Sequence, residues 1–475
     1  MGRMKWNCRT GWMVKLWYFT DINLELRLEP SRKLLDGRML ATIFPQTEVK
    51  GEQLCIACHR NTDFKKILVD NNPIGLEVRL SESNELPYII AMTDSSVPEK
   101  PQQVEIEYST LMNGYRDITP AFWDGLTSEF IFVRPDEAYY PSPAENPFAD
   151  YYHGDESISL TIEGPSDWVF ATSSQIKPKI TKQSNSTRWK FEKVRKPPLL
   201  VGGKFNLTKS SKYPNLEFWT LRKDAPSDET LSFVAEVIDY FQSQYGDLSS
   251  LMLRYVETPK GYSGYVRQPL ILMDEGDMDS VLEIPREKYH SASSDIRYKI
   301  IGLVHEIAHL WFPGETIIGP DIGGLWGESF THVAESGCIL NHFGMDLTNI
   351  QRFVRQYKRL EDLVDKEPAL IHLTRETLEG NAWDPIRRGK AVLILLSMVN
   401  LIGWNTYSDV MKQILLIGKE KPVTHQWLWE RFNSYLSKEQ AGMVKEFQEK
   451  FIFNKPSQKE FEELCIGLGL EYTTE

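Results

Sequence analysis

The stretch GLVHEIAHLWFPGE, residues 302–315, decides how this chain is read. His305 and His309 stand at i and i+4, so on a helix they share one face and both imidazoles can reach a single ion about 2 Å from each nitrogen. Glu306 lies one residue round the helix, beside such an ion but not on it, where it could take a proton from a water molecule. The alternative is an apolar core helix carrying two satisfied histidines. With 9 histidines in 475 residues, the pattern H-E-x-x-H arises by chance in about one such chain in a hundred, which favours a metal.

A catalytic zinc site takes three protein ligands and leaves a fourth position for water. The segment GPDIGGLWGESFTHVAESGCILNHFG, residues 319–344, opens with a glycine-rich turn and runs into a second helix. Its Glu328 follows His309 by nineteen positions, and an antiparallel helix could present that carboxylate to the two histidines. Taken alone, Glu328 reads equally as a solvated glutamate at a helix start, favoured there by the helix dipole.

The combination is specific. H-E-x-x-H, eighteen intervening residues, then Glu-Ser-Phe resembles the gluzincin zinc peptidases of the aminopeptidase N type. The resemblance runs from about residue 20 to 460 through INLELRLEPSRKLLDGRMLATI (22–43), EAYYPSP (137–143), TIEGPSDWVFATSS (161–174), VHEIAHLWFPGETI (304–317) and VKEFQEKFIFNKPS (444–457). It implies one Zn2+ per chain held by His305, His309 and Glu328, with Glu306 as general base and a peptide or protein as substrate. Glu335 reads as a support behind a ligand or as a surface carboxylate.

Two segments depart from the family pattern. Where its members carry Gly-x-Met-Glu-Asn, SGYVRQPLILM (263–273) keeps Gly264 but has Arg267 and Gln268 in place of the amine-anchoring Glu-Asn. A cation there would repel a protonated α-amine, although the strand could still pair with an extended peptide. Where the family has Tyr-x-Lys-Gly, NAWDPIRRGKAVLILL (381–396) puts Ile386 at the oxyanion tyrosine and Arg388 at the lysine. Loss of one oxyanion donor typically costs about a hundredfold to a thousandfold in rate. Arg387, Arg388 and Tyr357 are the substitutes the sequence offers, with surface arginines and a packing tyrosine as the other reading.

The rest of the chain fits a soluble two-domain protein. Apolar residues make up 41% and charged residues 25%, enough to bury large cores. A net charge of −12 without a basic stripe argues against nucleic acid, and no run of about 18 apolar residues supplies an integral membrane segment. Residues 1–19 read as a leader into the first strand rather than a signal peptide, so the expected compartment is cytoplasmic. Five scattered cysteines (Cys8, Cys55, Cys58, Cys338, Cys465) form no disulfide framework. CIACHR, residues 55–60, matches the Cys-x-x-Cys-His of haem attachment, but a β-strand is the better reading, at odds of about ten to one.

From residue 20 to 225, short alternating segments between turn-rich clusters predict a β-sandwich-like domain: INLELRLEP, QVEIEYST, SEFIFVRP, SISLTIEGP, WVFATSSQI, RWKFEKV and LLVGGKFNL. From 226 to 475 the pattern turns helical. A helix capped by Ser227 or Asp228 puts Leu231, Val234, Val237, Ile238 and Phe241 on one face, and strands are expected in LMLRYVET and QPLILMD. The expected fold is α+β and multidomain, with a thermolysin-like, mainly helical zinc metallopeptidase domain after the β domain. The expected function is hydrolysis of peptide bonds, aminopeptidase-like without the usual amine anchor. The rival is a weak or inactive zinc-binding relative serving as a binding or scaffold module.

Overall fold

The structure, a computed structural model, describes residues 17–45, 53–80, 88–96, 98–112, 125–133, 139–143, 157–195, 198–209, 213–221, 228–248, 250–259, 264–274, 293–314, 316, 318, 325–345, 348–358, 367–373 and 385–472. By its contacts the chain divides into two units. One holds residues 17–221 together with 251–274, and the other holds 228–250 and the described residues from 293 onward.

Alternation builds the strand-rich unit. In Trp17–Glu29, Ile22, Leu24, Leu26 and Leu28 point inward while Glu25 and Arg27 face water, the period-two pattern of a half-buried strand. This strand lies within an eight-stranded sheet. Its spatial order is Lys179–Lys182, Ser186–Arg195, Ser157–Pro165, Trp17–Glu29, Leu34–Pro45, Gln102–Leu111, Thr62–Val69, Asn72–Pro73. Every pairing is antiparallel except that of Trp17–Glu29 with Ser157–Pro165, where Asn23 lies opposite Ser159. The outer face carries ion pairs such as Arg38–Glu105 at 3.0 Å and Arg188–Glu25 at 3.0 Å, exposed and worth little individually. The inner face packs Leu24, Leu26, Ile43 and Ile106 into one core with Trp168 and with residues of two four-stranded sheets, Phe170 and Ile56 among them. All seven segments read as strands contain one, and among the described residues before 222 the only helical turn is Pro30–Arg32.

The Cys-x-x-Cys-His stretch lies in the strand Gln53–His59. Cys58 is buried against the Thr62 hydroxyl at 3.4 Å, and burial pushes its thiol up to about 12, so it stays protonated. The His59 Nδ1 accepts from the Asn61 amide at 3.2 Å. These side chains are spent on packing and bonding inside the unit.

A mixed five-stranded sheet completes this unit, in the order Asn206–Lys209, Leu216–Thr220, Leu253–Thr258, Leu270–Asp274, Tyr265–Arg267. Both strands expected after the first long helix are therefore present. Tyr265–Arg267 is an edge strand, and Arg267 is buried, 7% exposed, rather than presented to solvent.

In the other unit the described helices are α1 (Asp228–Tyr245), α2 (Ser294–Ala308), α3 (Phe330–Gly337), α4 (Thr348–Lys358), α5 (Ala391–Ile402), α6 (Trp404–Gly418), α7 (His425–Ser434), α8 (Lys438–Gln448) and α9 (Gln458–Gly467). The five apolar residues expected on one face of α1 are all buried. The helix ends at Gly246, whose φ of +115° suits glycine. No single helix among the described residues is long and apolar enough to cross a membrane; α5 and α6 together pass on length and composition but bend by 113°, and α5 is mostly buried in this unit.

Local chemistry positions α2. Ser293 caps its start by accepting from the Ile296 amide. At its exit the Trp311 indole donates to the Gly246 carbonyl at 3.0 Å, and its ring lies 5.6 Å from that of Phe241. Gly314 closes the turn at φ +53°, where an added Cβ would lie 2.5 Å from the Leu310 carbonyl oxygen. The end of α2 is thereby docked on the end of α1.

Candidate metal centre

On α2, His305 and His309 face each other with their Nε2 atoms 3.2 Å apart. Their far sides are committed. The His309 Nδ1 lies 2.7 Å from the Phe312 carbonyl oxygen, which can only accept, so Nδ1 carries the proton. The His305 Nδ1 likewise lies 3.2 Å from Glu335 Oε2, an ionised carboxylate that can only accept. In each neutral ring the lone pair is then on Nε2. Two lone pairs are aimed at one point.

Glu328 supplies the third donor. It sits in a π-helical turn, Leu325–Ser329, that leads directly into α3. Its Oε2 is 3.7 Å from His305 Nε2 and, though buried, has no hydrogen-bond partner. Its Oε1 accepts from Arg388 Nη2 at 3.1 Å. Burial alone would raise this carboxyl, but Arg388, Arg387 and the two histidines outweigh it and hold the group well below the usual carboxylate range.

A tetrahedral ion with bonds of about 2.0–2.2 Å separates its ligands by about 3.3–3.6 Å. The separations of 3.2 and 3.7 Å bracket that range, and His305, His309 and Glu328 are a group that could hold a metal ion. Burial lowers the His305 imidazole, but its bond to Glu335 and the charges of Glu306, Glu328 and Glu335 win, leaving it above its ordinary value. Burial and the His305 charge push His309 down to about 4. One ring is primed for a proton and its neighbour stays neutral.

A second group, His305, His332 and Glu335, also has donors close enough for an ion. Its carboxylate is already bonded to both rings, although the His332 Nε2 has no hydrogen-bond partner. Glu335, 2% exposed, accepts from His305 and from the His332 Nδ1 at 2.8 Å through Oε2, and from Arg352 through Oε1. Burial opposes ionisation of Glu335, and Arg352 with the two histidine bonds overrides it, driving the carboxyl far down. A metal would have to displace those donors, whereas the first group meets one with bare lone pairs. Of the two readings of Glu335, the surface carboxylate is overturned: the side chain is buried and bonded to His305.

Glu306 follows His305 on α2. Burial, with the Glu328 charge adding to it and His305 and Arg388 opposing, raises its carboxyl to about 7. A carboxyl at that value both accepts and releases a proton near neutrality.

Of the three substitutes offered for the oxyanion tyrosine, Tyr357 is committed elsewhere. It is 2% exposed, and its hydroxyl donates to Glu367 at 3.0 Å in a buried cluster with Lys390. Ile386 is buried as well. Arg387 and Arg388 lie in the π-helical turn Ile386–Lys390, beside Glu328. Gly389 brings that turn onto α4, where an added Cβ would sit 3.0 Å from the Phe353 carbonyl oxygen and the Tyr357 amide.

Sequence reasoning missed His332, Thr331, Arg352 and the Phe312 carbonyl. His332 and Glu335 follow Glu328 by four and seven positions, a spacing that puts all three on one helical face. Nothing in the sequence marks Arg352, which reaches the site from α4.

No family model matches this chain, and no curated protein matches it. Solved structures do. The M1 zinc metallopeptidase from Deinococcus radiodurans superimposes with a TM-score of 0.57 over 91% of this chain and 93% of its own, at 14% identity. A variant of that enzyme bound to a Tyr-Ser-Ala substrate gives the same score at 14% identity over 91% and 94%. A two-domain M1 zinc metallopeptidase variant bound to L-tryptophan also scores 0.57, at 12% identity over 91% and 94%. At such identities the likeness speaks for architecture alone: a strand-rich region, then a helical one, in the two-domain fold of the M1 zinc metallopeptidases.

Proposed function

We propose that this chain is a zinc-dependent peptidase in which His305, His309 and Glu328 hold one Zn2+ and Glu306 is the general base. The observation that carries the reading is the convergence of three donor atoms whose opposite sides are all held by hydrogen bonds. When bound there, zinc would supply Lewis acidity to the attacking water and the scissile carbonyl. Glu306 takes the proton from that water and returns it to the leaving amine, a shuttle its raised carboxyl suits. Glu335 and the Phe312 carbonyl keep both imidazoles in the ligating tautomer. The solved relative that binds a Tyr-Ser-Ala substrate supports a short peptide as the substrate class. Arg267 and Gln268 replace the amine-anchoring pair, so the reading carries no requirement for a free α-amine.

Metal analysis and a peptide library with mass-spectrometric readout, each with and without chelator, test this. Expected are about one zinc per chain, loss of zinc in His305→Ala and His309→Ala, and cleavage of free and amine-blocked peptides alike. Glu306→Gln should keep its zinc and lose hydrolysis by a hundredfold or more, to order of magnitude. Well-folded protein that takes up no zinc refutes the site. Zinc without hydrolysis of any peptide would assign the chain to the rival class, a zinc-bearing binding module.

A further inference from the structure

The ion pair on the candidate ligand itself carries one step more. Glu328 has two oxygens in different hands: Oε2 faces His305 Nε2 at 3.7 Å without a hydrogen-bond partner, and Oε1 is held by Arg388 Nη2 at 3.1 Å. A carboxylate can give an ion one oxygen or both. Given both, it would raise the protein's donors from three to four and fill the position a four-coordinate zinc keeps for water.

We infer that Arg388 is a positioning residue that withholds Glu328 Oε1 from the metal, so that the carboxylate ligates through Oε2 alone and the fourth position stays open. This inference rests on the metal site proposed above. Three observations support it. Arg388 approaches from a separate turn, so its bond does not follow from the local geometry of the Glu328 turn. A second bond ties the same two turns together one residue along, the Ser329 hydroxyl donating to the Arg387 carbonyl at 2.6 Å, which fixes where the guanidinium can reach. Both turns, Leu325–Ser329 and Ile386–Lys390, are π-helical, a wide turn frequent at functional sites, as are Cys338–His342 and Glu449–Phe453 elsewhere in this unit. The Arg388 side chain is 37% exposed, so its replacement leaves the core intact.

Co2+-substituted chain provides a readout that does not depend on turnover. The wild type should show the intense visible d–d bands of a four-coordinate ion. Arg388→Met should bind cobalt but show bands several-fold weaker, those of an ion with an added carboxylate oxygen, while Arg388→Lys, which keeps a cation on Oε1, should restore most of the intensity. In the zinc form, Arg388→Met should lose about tenfold to a hundredfold in kcat with KM nearly unchanged. Cobalt bands in Arg388→Met identical to wild type would overturn the role of Arg388 while leaving the metal site standing. Failure of the wild type to take up cobalt or zinc would overturn the metal site, and this inference with it.

Discussion

His305 and His309 show how much a ligand depends on what stands behind it. Imidazoles at i and i+4 meet on any helix, but only rings with their protons held on Nδ1 present two lone pairs to one ion. Glu335 does this for His305, and is itself held by His332 and Arg352. Replacing Glu335 by Gln leaves an amide that can donate to the imidazole as readily as accept from it, so the tautomer is no longer fixed. Zinc affinity should fall about tenfold to a hundredfold, measured by competition with a chromophoric chelator; unchanged affinity would show that the His305–Glu335 bond does not tune the site. At this scale the sequence singled out the three candidate donors that the structure brings together, His305, His309 and Glu328, because spacing on one helix and one turn places them. It was silent on Arg352, whose contact with Glu335 spans two helices.

At the scale of elements, the site depends on how α2 ends. The chain leaves the helix through Gly314 in a left-handed conformation, and a methyl group there would collide with the Leu310 and Trp311 backbone. Gly314→Ala should cost about 1–3 kcal/mol and lower zinc affinity, because the Phe312 carbonyl that fixes His309 lies in the same turn. Gly442, inside α8, meets nothing within 4 Å of an added Cβ. There the same substitution should stabilise by about 0.5–1 kcal/mol, by lowering the entropy of the unfolded chain in a helix interior. Urea denaturation of both variants tests the pair, and equal effects would count against the structure of the α2 exit. A Pro-Gly pair after an apolar helix is readable as a stop signal; that the turn also supplies a carbonyl to His309 is not, since it depends on how the backbone folds back.

At the scale of the whole molecule, burying this cluster of histidines and carboxylates makes the metal-free protein sensitive to acid. In the metal-free state His309 lies near 4 and His332, lowered by burial and the His305 charge, near 3, both below the ordinary 6.5. The unfolded chain takes up those two protons below about pH 6.5 and the folded chain does not, so stability is full above that pH and is lost as pH falls toward 4 and 3. The lowered carboxyls of Glu328 and Glu335 extend the loss below about 4.5. His305 has the opposite sign: its raised value adds stability below about 6.5 that fades as pH rises through the folded value. Glu306 acts with it: its carboxyl, raised to about 7 in the folded chain, holds a proton that the unfolded chain takes up only near 4.5. Between about pH 6.5 and 4.5 the two histidine protons gained by the unfolded chain outweigh the one on Glu306, and below that the loss grows. The melting temperature of chelator-treated protein should therefore fall from about pH 6 to 4, and a flat profile over that window would show that these histidines are not buried neutral. By itself the sequence determined the alternation of the strand-rich half, the helical second half and the choice of His305, His309 and Glu328 as candidate ligands, since each is a matter of periodicity along a few turns of chain. Only the tertiary structure decided that Glu335 stands behind His305, that Tyr357 is committed to Glu367, and that Arg388 closes on Glu328. Those contacts join residues from separate elements, and no local spacing encodes a distance that packing alone sets.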